Sequence, residues 1–320
     1  MMDTSDLHVP VMLQEVVESL APQDGQHFVD ATFGNGGYSE ALLARAKCTV
    51  SAFDRDPDAI ERGTPMAARY DGRLQLIQSA FAELGTIFNL DNQVDGIVFD
   101  LGVCSVQLDQ PERGFSFRLD GPLDMRMEKT GEDASEVVNR YSETQIADIL
   151  WKFGEEKASR RIAKAIVAAR AEAPILRTSQ LVQIIHSVMP RPKPGQADSA
   201  TRSFQALRIY VNQELAQLEQ ALHASQLALK PGGVLAVVSF HSLEDRIVKQ
   251  FIKHRSGRAP NPNKHMPQPE HQPAALFSIS SARPTLPSEE EVATNPRARS
   301  AKLRVARRTD APFEPIAQAG

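Results

Sequence analysis

At 320 residues and 42% hydrophobic, the chain can bury a real core in one large domain or two modest ones. A formal charge of -4 excludes a globally basic polyanion binder, so any nucleic-acid surface has to come from local clustering. No apolar run approaches the ~18 residues of a membrane span, and the first ten residues show no basic region followed by an apolar one. Cys48 and Cys104 support neither a disulfide framework nor a zinc site. The expectation is a cytoplasmic protein with no membrane association and no metal.

Leu7 to Leu20 has the spacing of a short amphipathic helix. His27 to Asp30 then reads as a buried strand ending on a carboxylate, Gly34, Gly36 and Gly37 as a sharp turn, and Ser39 to Ala46 as helix. Glycines here leave no Cβ between backbone and ligand, so a cofactor can lie against the main chain. Cys48 to Phe53 is a second strand, followed by Asp54, 18 residues beyond Gly36. A carboxylate about 20 residues past the glycines suits the two ribose hydroxyls of a nucleotide-type cofactor. Asp56 with Pro57 supplies the cap and first turn of the next helix, which leaves Asp54 for that role.

Leu74 to Gln78 and Val94 to Phe99 predict the third and fourth strands. Ligands bind beyond the carboxyl ends of such strands. Phe81 is therefore placed against a flat base, with core packing as the alternative, and Asp100 is placed at the reacting centre, beside Gly102.

After Gln107 the strand–helix alternation stops. Residues 110–127 form a long loop in which Arg113, Phe115, Phe117, Met125 and Met127 argue for order. Ser142 with Gln145 makes a capping box ahead of a helix from Ile146 to Phe153, and helices over Lys157 to Ala171 and Thr178 to Val188 follow. This predicts a helical subdomain at 108–200, inserted between sheet-domain segments 1–107 and 201–310, with a disordered tail at 311–320. Residues 191–195 mark the return, and one helix is expected from Thr201 to about Leu229. A Pro-Gly-Gly turn, the strand Val234 to Val238, and a capping box of Ser242 with Asp245 come next. Residues 256–273 read as an excursion, and Phe277 to Ser280 and Ala301 to Ala306 as the last strands.

Taken together, Asp30-x-Thr-x-Gly-x-Gly-Gly37, Asp100-Leu-Gly-Val-Cys-Ser-Val-Gln-Leu-Asp109, Arg113-Gly-Phe-Ser-Phe117, Asp120-Gly-Pro-Leu-Asp-Met-Arg-Met127, Ser159-Arg-Arg-Ile-Ala163, Thr201-Arg-Ser-Phe-Gln-Ala-Leu-Arg208, Ser239-Phe-His-Ser-Leu-Glu-Asp-Arg246 and Asn295-Pro-Arg-Ala-Arg-Ser300 resemble the MraW family. That is the small-subunit ribosomal RNA methyltransferase H family. The resemblance spans about residues 7–306. It implies an α/β, class I S-adenosylmethionine-dependent methyltransferase (Rossmann-like) fold with an inserted helical substrate domain. The implied activity is N4-methylation of a cytosine in the decoding region of 16S rRNA, and the implied partner is the small ribosomal subunit.

By the same resemblance Gly36, Gly37, Tyr38, Asp54, Phe81, Asp100 and Gln107 contact S-adenosylmethionine. Tyr38 stands where the family has His, and Cys104 where it has Ser, so both positions must work through backbone. Asp100 is the candidate for holding the amine, with a role wholly toward the cofactor as the alternative, and His241 for a base or base-edge contact, with a structural histidine as the alternative. Arg113, Phe115 and Phe117 suit a stacking wall for RNA. Arg160, Arg161, Arg202, Arg208, Arg297, Arg299, Lys302 and Arg304 suit phosphates, with a solvated face as the alternative for the run of Arg160, Arg161, Lys164 and Arg170. A DNA amino-methyltransferase is disfavoured because Gly102-Val103-Cys104 is not a Pro-Pro-aromatic turn. A cofactor-binding assembly factor, a dehydrogenase and a homodimer are further alternatives.

Overall fold

The computed structural model describes residues 10–190, 198–258 and 274–313. The expected joint at 191–195, most of the excursion at 256–273 and the tail from 314 lie outside the described residues, as do residues 7–9 of the first expected helix. The chain divides into two compact units, residues 1–102 with 215–320, and residues 103–214. The second joint thus falls after residue 214, where the sequence suggested 200.

In the first unit, α1 (Leu13–Leu20), β1 (His27–Asp30), α2 (Gly37–Arg45), β2 (Thr49–Asp54), α3 (Pro57–Arg69), β3 (Leu74–Gln78), α4 (Leu84–Ile87) and β4 (Val94–Asp100) alternate along the chain. The second unit holds α5 (Ser105–Asp109), α6 (Ala134–Arg140), α7 (Glu143–Gly154), α8 (Ser159–Glu172), α9 (Thr178–Val188) and α10 (Thr201–Asn212). The first unit resumes within α11 (Glu214–Ala228) and continues with β5 (Leu229–Ser239), α12 (Ser242–Arg255), β6 (Phe277–Ser278), α13 (Glu289–Thr294) and β7 (Lys302–Arg308). α1 is shorter than expected because Met12 sits in the left-handed region at φ 56°. The single helix expected after Thr201 is two, broken where Gln213 turns left-handed at φ 52°.

The sheet order is β3-β2-β1-β4-β5-β7-β6, with β7 antiparallel to both neighbours and the other pairs parallel. Alternation along the strands sends Val29, Ile97, Phe99, Leu235 and Val237 to one face, against Leu218, Leu222 and Phe251. Phe28, Val98, Ala236 and Val238 go to the other, against Val16, Leu20 and Leu42. Helices cover both faces, which is what a parallel sheet requires. The second unit has its own core, in which Ile146 and Leu150, Ile162 and Ile166, and Leu181 and Ile185 recur at helical spacing with Phe204 and Leu207. Its α7 opens on the expected box of Ser142 and Gln145.

Candidate active site at the carboxyl edge of the sheet

β1, β2 and β4 are parallel neighbours, and each ends on a carboxylate: Asp30, Asp54 and Asp100. Between β1 and α2 the chain turns through Gly34 (φ 55°) and Gly36 (φ 79°), a conformation that glycine adopts without steric cost. The Gly34 amide donates to Asp54 Oδ2 at 2.8 Å, and the Asp56 amide donates to Oδ1 at 2.8 Å. Each Asp54 oxygen keeps a further lone pair for ligand hydroxyls. Asp56 caps α3, with Pro57 at its first position, as expected.

Asp30 is wholly buried; it accepts the Ser39 hydroxyl at 2.7 Å and the Thr32 amide at 3.2 Å. Thr32 Oγ1 accepts the Asp100 amide at 2.6 Å, which ties the ends of β1 and β4 together. Asp100 Oδ1 is buried and has no hydrogen-bond partner. An orphaned buried oxygen costs about 1–3 kcal/mol unless a ligand meets it. Gly37 opens α2, and Tyr38 turns its buried hydroxyl to the Val11 carbonyl, so only its backbone is available to a ligand. Phe81 opens a 3-10 turn directly after β3, half-buried, with its ring edge-on to Phe99 at 5.8 Å.

Carboxylates dominate the electrostatics of this edge, with the charge of Arg62 opposing them at Asp54. Burial pushes Asp30 up to about 6 and Asp54 above its ordinary value. Asp100 is raised well above its ordinary value, by burial first and then by the charges of Asp30 and Glu244. Among the described residues no lysine or arginine hydrogen-bonds to these three carboxylates. A pyrophosphate would meet repulsion here. A cationic cofactor would relieve the strain that burial imposes.

His241 caps α12, where Ser242 with Asp245 had been expected. The Glu244 amide donates to its Nδ1 at 3.4 Å, and Nε2 lies 3.0 Å from Glu244 Oε1 without the alignment of a hydrogen bond. Glu244 Oε2 also accepts the Phe240 and His241 amides at 2.8 and 3.2 Å. Both ring nitrogens thus face Glu244, and His241 is held within the turn. The displaced Asp245 instead accepts from Arg304 Nε at 2.7 Å and Lys302 Nζ at 3.2 Å. Gln107 lies in the second unit, buried on α5, with Oε1 accepting the Cys104 amide at 3.0 Å.

The expected RNA residues separate into two groups. Arg113 is 6% exposed; it donates to the carbonyls of Arg126 and Met127 at 3.1 and 3.0 Å and lies over the buried ring of Phe115. Arg208 pairs with Glu214 through two bonds of 2.8 and 2.9 Å. Arg304 is held by Asp245 and by the Ala282 carbonyl. These three arginines and Phe115 are engaged within the protein: Arg113 and Phe115 in the long loop, Arg208 on α10 and Arg304 on β7. Lys302 shares the Asp245 pair and stays partly exposed. Arg160, Arg161, Arg202, Arg297 and Arg299 are exposed, and Phe117 is half-buried.

Sequence reasoning passed over Asp30 as a site residue, although it closes the same kind of strand as Asp100. It also missed Glu244, whose only signal was its place one residue before the expected box partner. No described group of His, Cys, Asp and Glu could hold a metal ion, and no described helix is long and apolar enough to cross a membrane.

A sheet of this order, with a reversed β7 and carboxylates at its ligand-binding edge, defines a class I S-adenosylmethionine-dependent methyltransferase. The chain belongs to the MraW methylase family, which it matches over residues 5–309. It is 53% identical to the ribosomal RNA small subunit methyltransferase H of Gluconobacter oxydans (strain 621H), over 97% of this chain and 95% of that one. The protein of the same name from Rhodospirillum centenum (strain ATCC 51521 / SW) is 53% identical over 99% of this chain and 97% of its own length.

Proposed function

We propose that this protein transfers a methyl group from S-adenosylmethionine to N4 of a cytosine in the decoding region of small-subunit ribosomal RNA. The observation that carries the reading is the buried, unpartnered Asp100 Oδ1 beside the glycine turn, in a chain of the MraW family. The relatives' shared name supplies the substrate class.

When bound, S-adenosylmethionine supplies an electrophilic methyl group on a sulfonium. In this reading Asp54 accepts the ribose hydroxyls, Phe81 lies against the adenine, and the backbone of Gly36, Gly37 and Tyr38 forms the rim. Gln107 belongs to the same set by family resemblance. Asp100 Oδ1 accepts an N–H of the cytosine amine. The amine lone pair is delocalised into the ring, so holding its hydrogens turns the lone pair toward the methyl carbon and disperses the positive charge that develops. With a positive charge held beside it, Asp100 would ionise again and serve as the acceptor. In-line placement at about 3 Å supplies the rest of the acceleration. After transfer the extra N4 proton leaves through Asp100 or to water.

The second unit, residues 103–214, is the substrate-recognition part in this reading. Exposed Arg160, Arg161 and Arg202 in that unit, and Arg297 and Arg299 in the first, take phosphates.

The test is transfer from labelled S-adenosylmethionine to small ribosomal subunits, naked ribosomal RNA and duplex DNA, followed by nucleoside analysis. N4-methylcytidine on subunits or their RNA supports the reading. N4-methylcytosine on duplex DNA alone, or no transfer despite cofactor binding, overturns it.

A further inference from the structure

The motif Arg113-Gly-Phe-Ser-Phe-Arg118 contains two arginine–aromatic pairs. Arg113 lies over Phe115 and Arg118 lies over Phe117, each with 5.7 Å from the guanidinium carbon to the ring centroid. Their surroundings differ. The first pair is buried and donates to backbone carbonyls. The second sits at the surface, Arg118 exposed and Phe117 half-buried, with the Phe117 ring edge-on to Phe204 at 5.9 Å. Among the described residues, Arg118 makes no side-chain hydrogen bond or ion pair. Asp198, an acid whose charge it feels, is already bonded to His186 Nε2 at 2.9 Å and the Ala200 amide at 2.8 Å.

The backbone carrying this exposed pair is clamped. Thr178 Oγ1 donates to the Leu119 carbonyl at 2.9 Å and accepts the Gly121 amide at 3.0 Å, and the Thr178 amide donates to the Gly121 carbonyl at 2.9 Å. Asp120 accepts Arg177 Nε at 2.8 Å. A Cβ on Gly121 would sit 1.7 Å from the Pro111 carbonyl oxygen, so two stretches of the loop touch backbone to backbone. Leu119 and Leu176, 41% and 57% exposed, flank the clamp. A firmly held loop that presents a cation over a ring, with apolar neighbours in water, has paid its ordering entropy in advance.

We propose that Phe117 and Arg118 form one stacking platform for an unpaired base of the RNA substrate, with Arg118 as a recognition residue. The proposal rests on the RNA-methylation reading and deepens it. Single-stranded RNA is the occupant the chemistry favours. A guanidinium plane takes a base on its outer face while its charge faces phosphate, and stacking is tolerant of base identity. A purely apolar partner surface would leave the Arg118 charge unmet.

The experiment is fluorescence anisotropy with a labelled single-stranded RNA oligonucleotide and its duplex, on the full chain, for wild type, Phe117→Leu, Arg118→Ala and the double variant. Thermal midpoints serve as the folding control. Either single change is expected to weaken single-strand binding about tenfold, with the midpoint unchanged for Arg118→Ala. The double variant is expected to lose little more than either single, because a shared platform is coupled. Unchanged binding, or two losses that simply multiply, overturns the platform. Wild type that methylates ribosomal RNA while both variants bind normally sinks this proposal alone. Wild type that neither binds nor methylates RNA sinks the functional reading with it.

Discussion

The carboxylate edge of the first unit and the arginine loop of the second solve the problem of buried charge in opposite ways. Asp30 is wholly buried and Asp54 and Asp100 half-buried, with hydroxyl and amide donors, and the buried Asp100 Oδ1 is left without any. Arg113 is buried too, but the carbonyls of Arg126 and Met127 and the ring of Phe115 meet its guanidinium from within the loop. A charge satisfied internally is structure. One left short of partners is a place prepared for a ligand, and its cost is recovered on binding.

Replacing a residue on each side should therefore fail in different ways. Asp100→Asn keeps the shape and one acceptor oxygen but removes the negative charge and the group that can take a proton; turnover should fall by about 10²–10³ while the protein stays folded. Methyl transfer under single-turnover conditions measures this, and wild-type rates would remove Asp100 from the chemistry. Arg113→Ala should act on stability, costing about 3 kcal/mol because two carbonyls lose their donor and a ring loses its cover. Denaturant unfolding reads that loss. A stable Arg113→Ala variant with weakened RNA binding would instead return Arg113 to the recognition role that its position in the motif suggested.

Asp54→Ala should weaken cofactor affinity about 10- to 100-fold, with turnover at saturating cofactor changed far less, since ribose contacts are made equally in ground and transition states. Calorimetric titration separates the two. A fall in saturated turnover as large as that of Asp100→Asn would mean that the glycine turn, which Asp54 also holds through Gly34, has collapsed.

Much of this is legible in the sequence. Strand ends at Asp30, Asp54 and Asp100 follow from short apolar runs closing on a carboxylate, and β3 and α9 fall where their periodicity put them. What could not be read was which arginines face water. Arg113 and Arg118 are five residues apart in one motif of alternating aromatics, and only tertiary packing decides that the first is inside and the second outside. The break at Gln213 was hidden for a related reason: a left-handed non-glycine residue leaves no compositional mark, so two helices read as one. The cap of α12 shifted by one residue because Ser242 and Asp245 fit a box as well as His241 and Glu244 do. Glu244 prevails by meeting two amides and an imidazole together.

The smallest expected effect is the sharpest test of the electrostatic difference between the regions. Asp30 has a folded-state pKa of about 6 against an ordinary 3.8, so between those values the native state holds a proton that the unfolded chain has lost. Stability of the ligand-free protein contributed by this group is thus present at low pH and is lost as pH rises from about 4 through about 6. Binding of a cation runs the other way. Ionised carboxylates favour it, so cofactor affinity should rise several-fold from pH 5 to pH 7.5, with proton release near pH 6. Asp30→Asn should flatten both trends. S-adenosylhomocysteine, which lacks the sulfonium charge, should show a shallower rise than S-adenosylmethionine. Thermal midpoints and calorimetry across that range decide it. Equal slopes for the two ligands would mean that the edge senses the amino-acid moiety alone, and that its carboxylates are not aimed at the sulfonium.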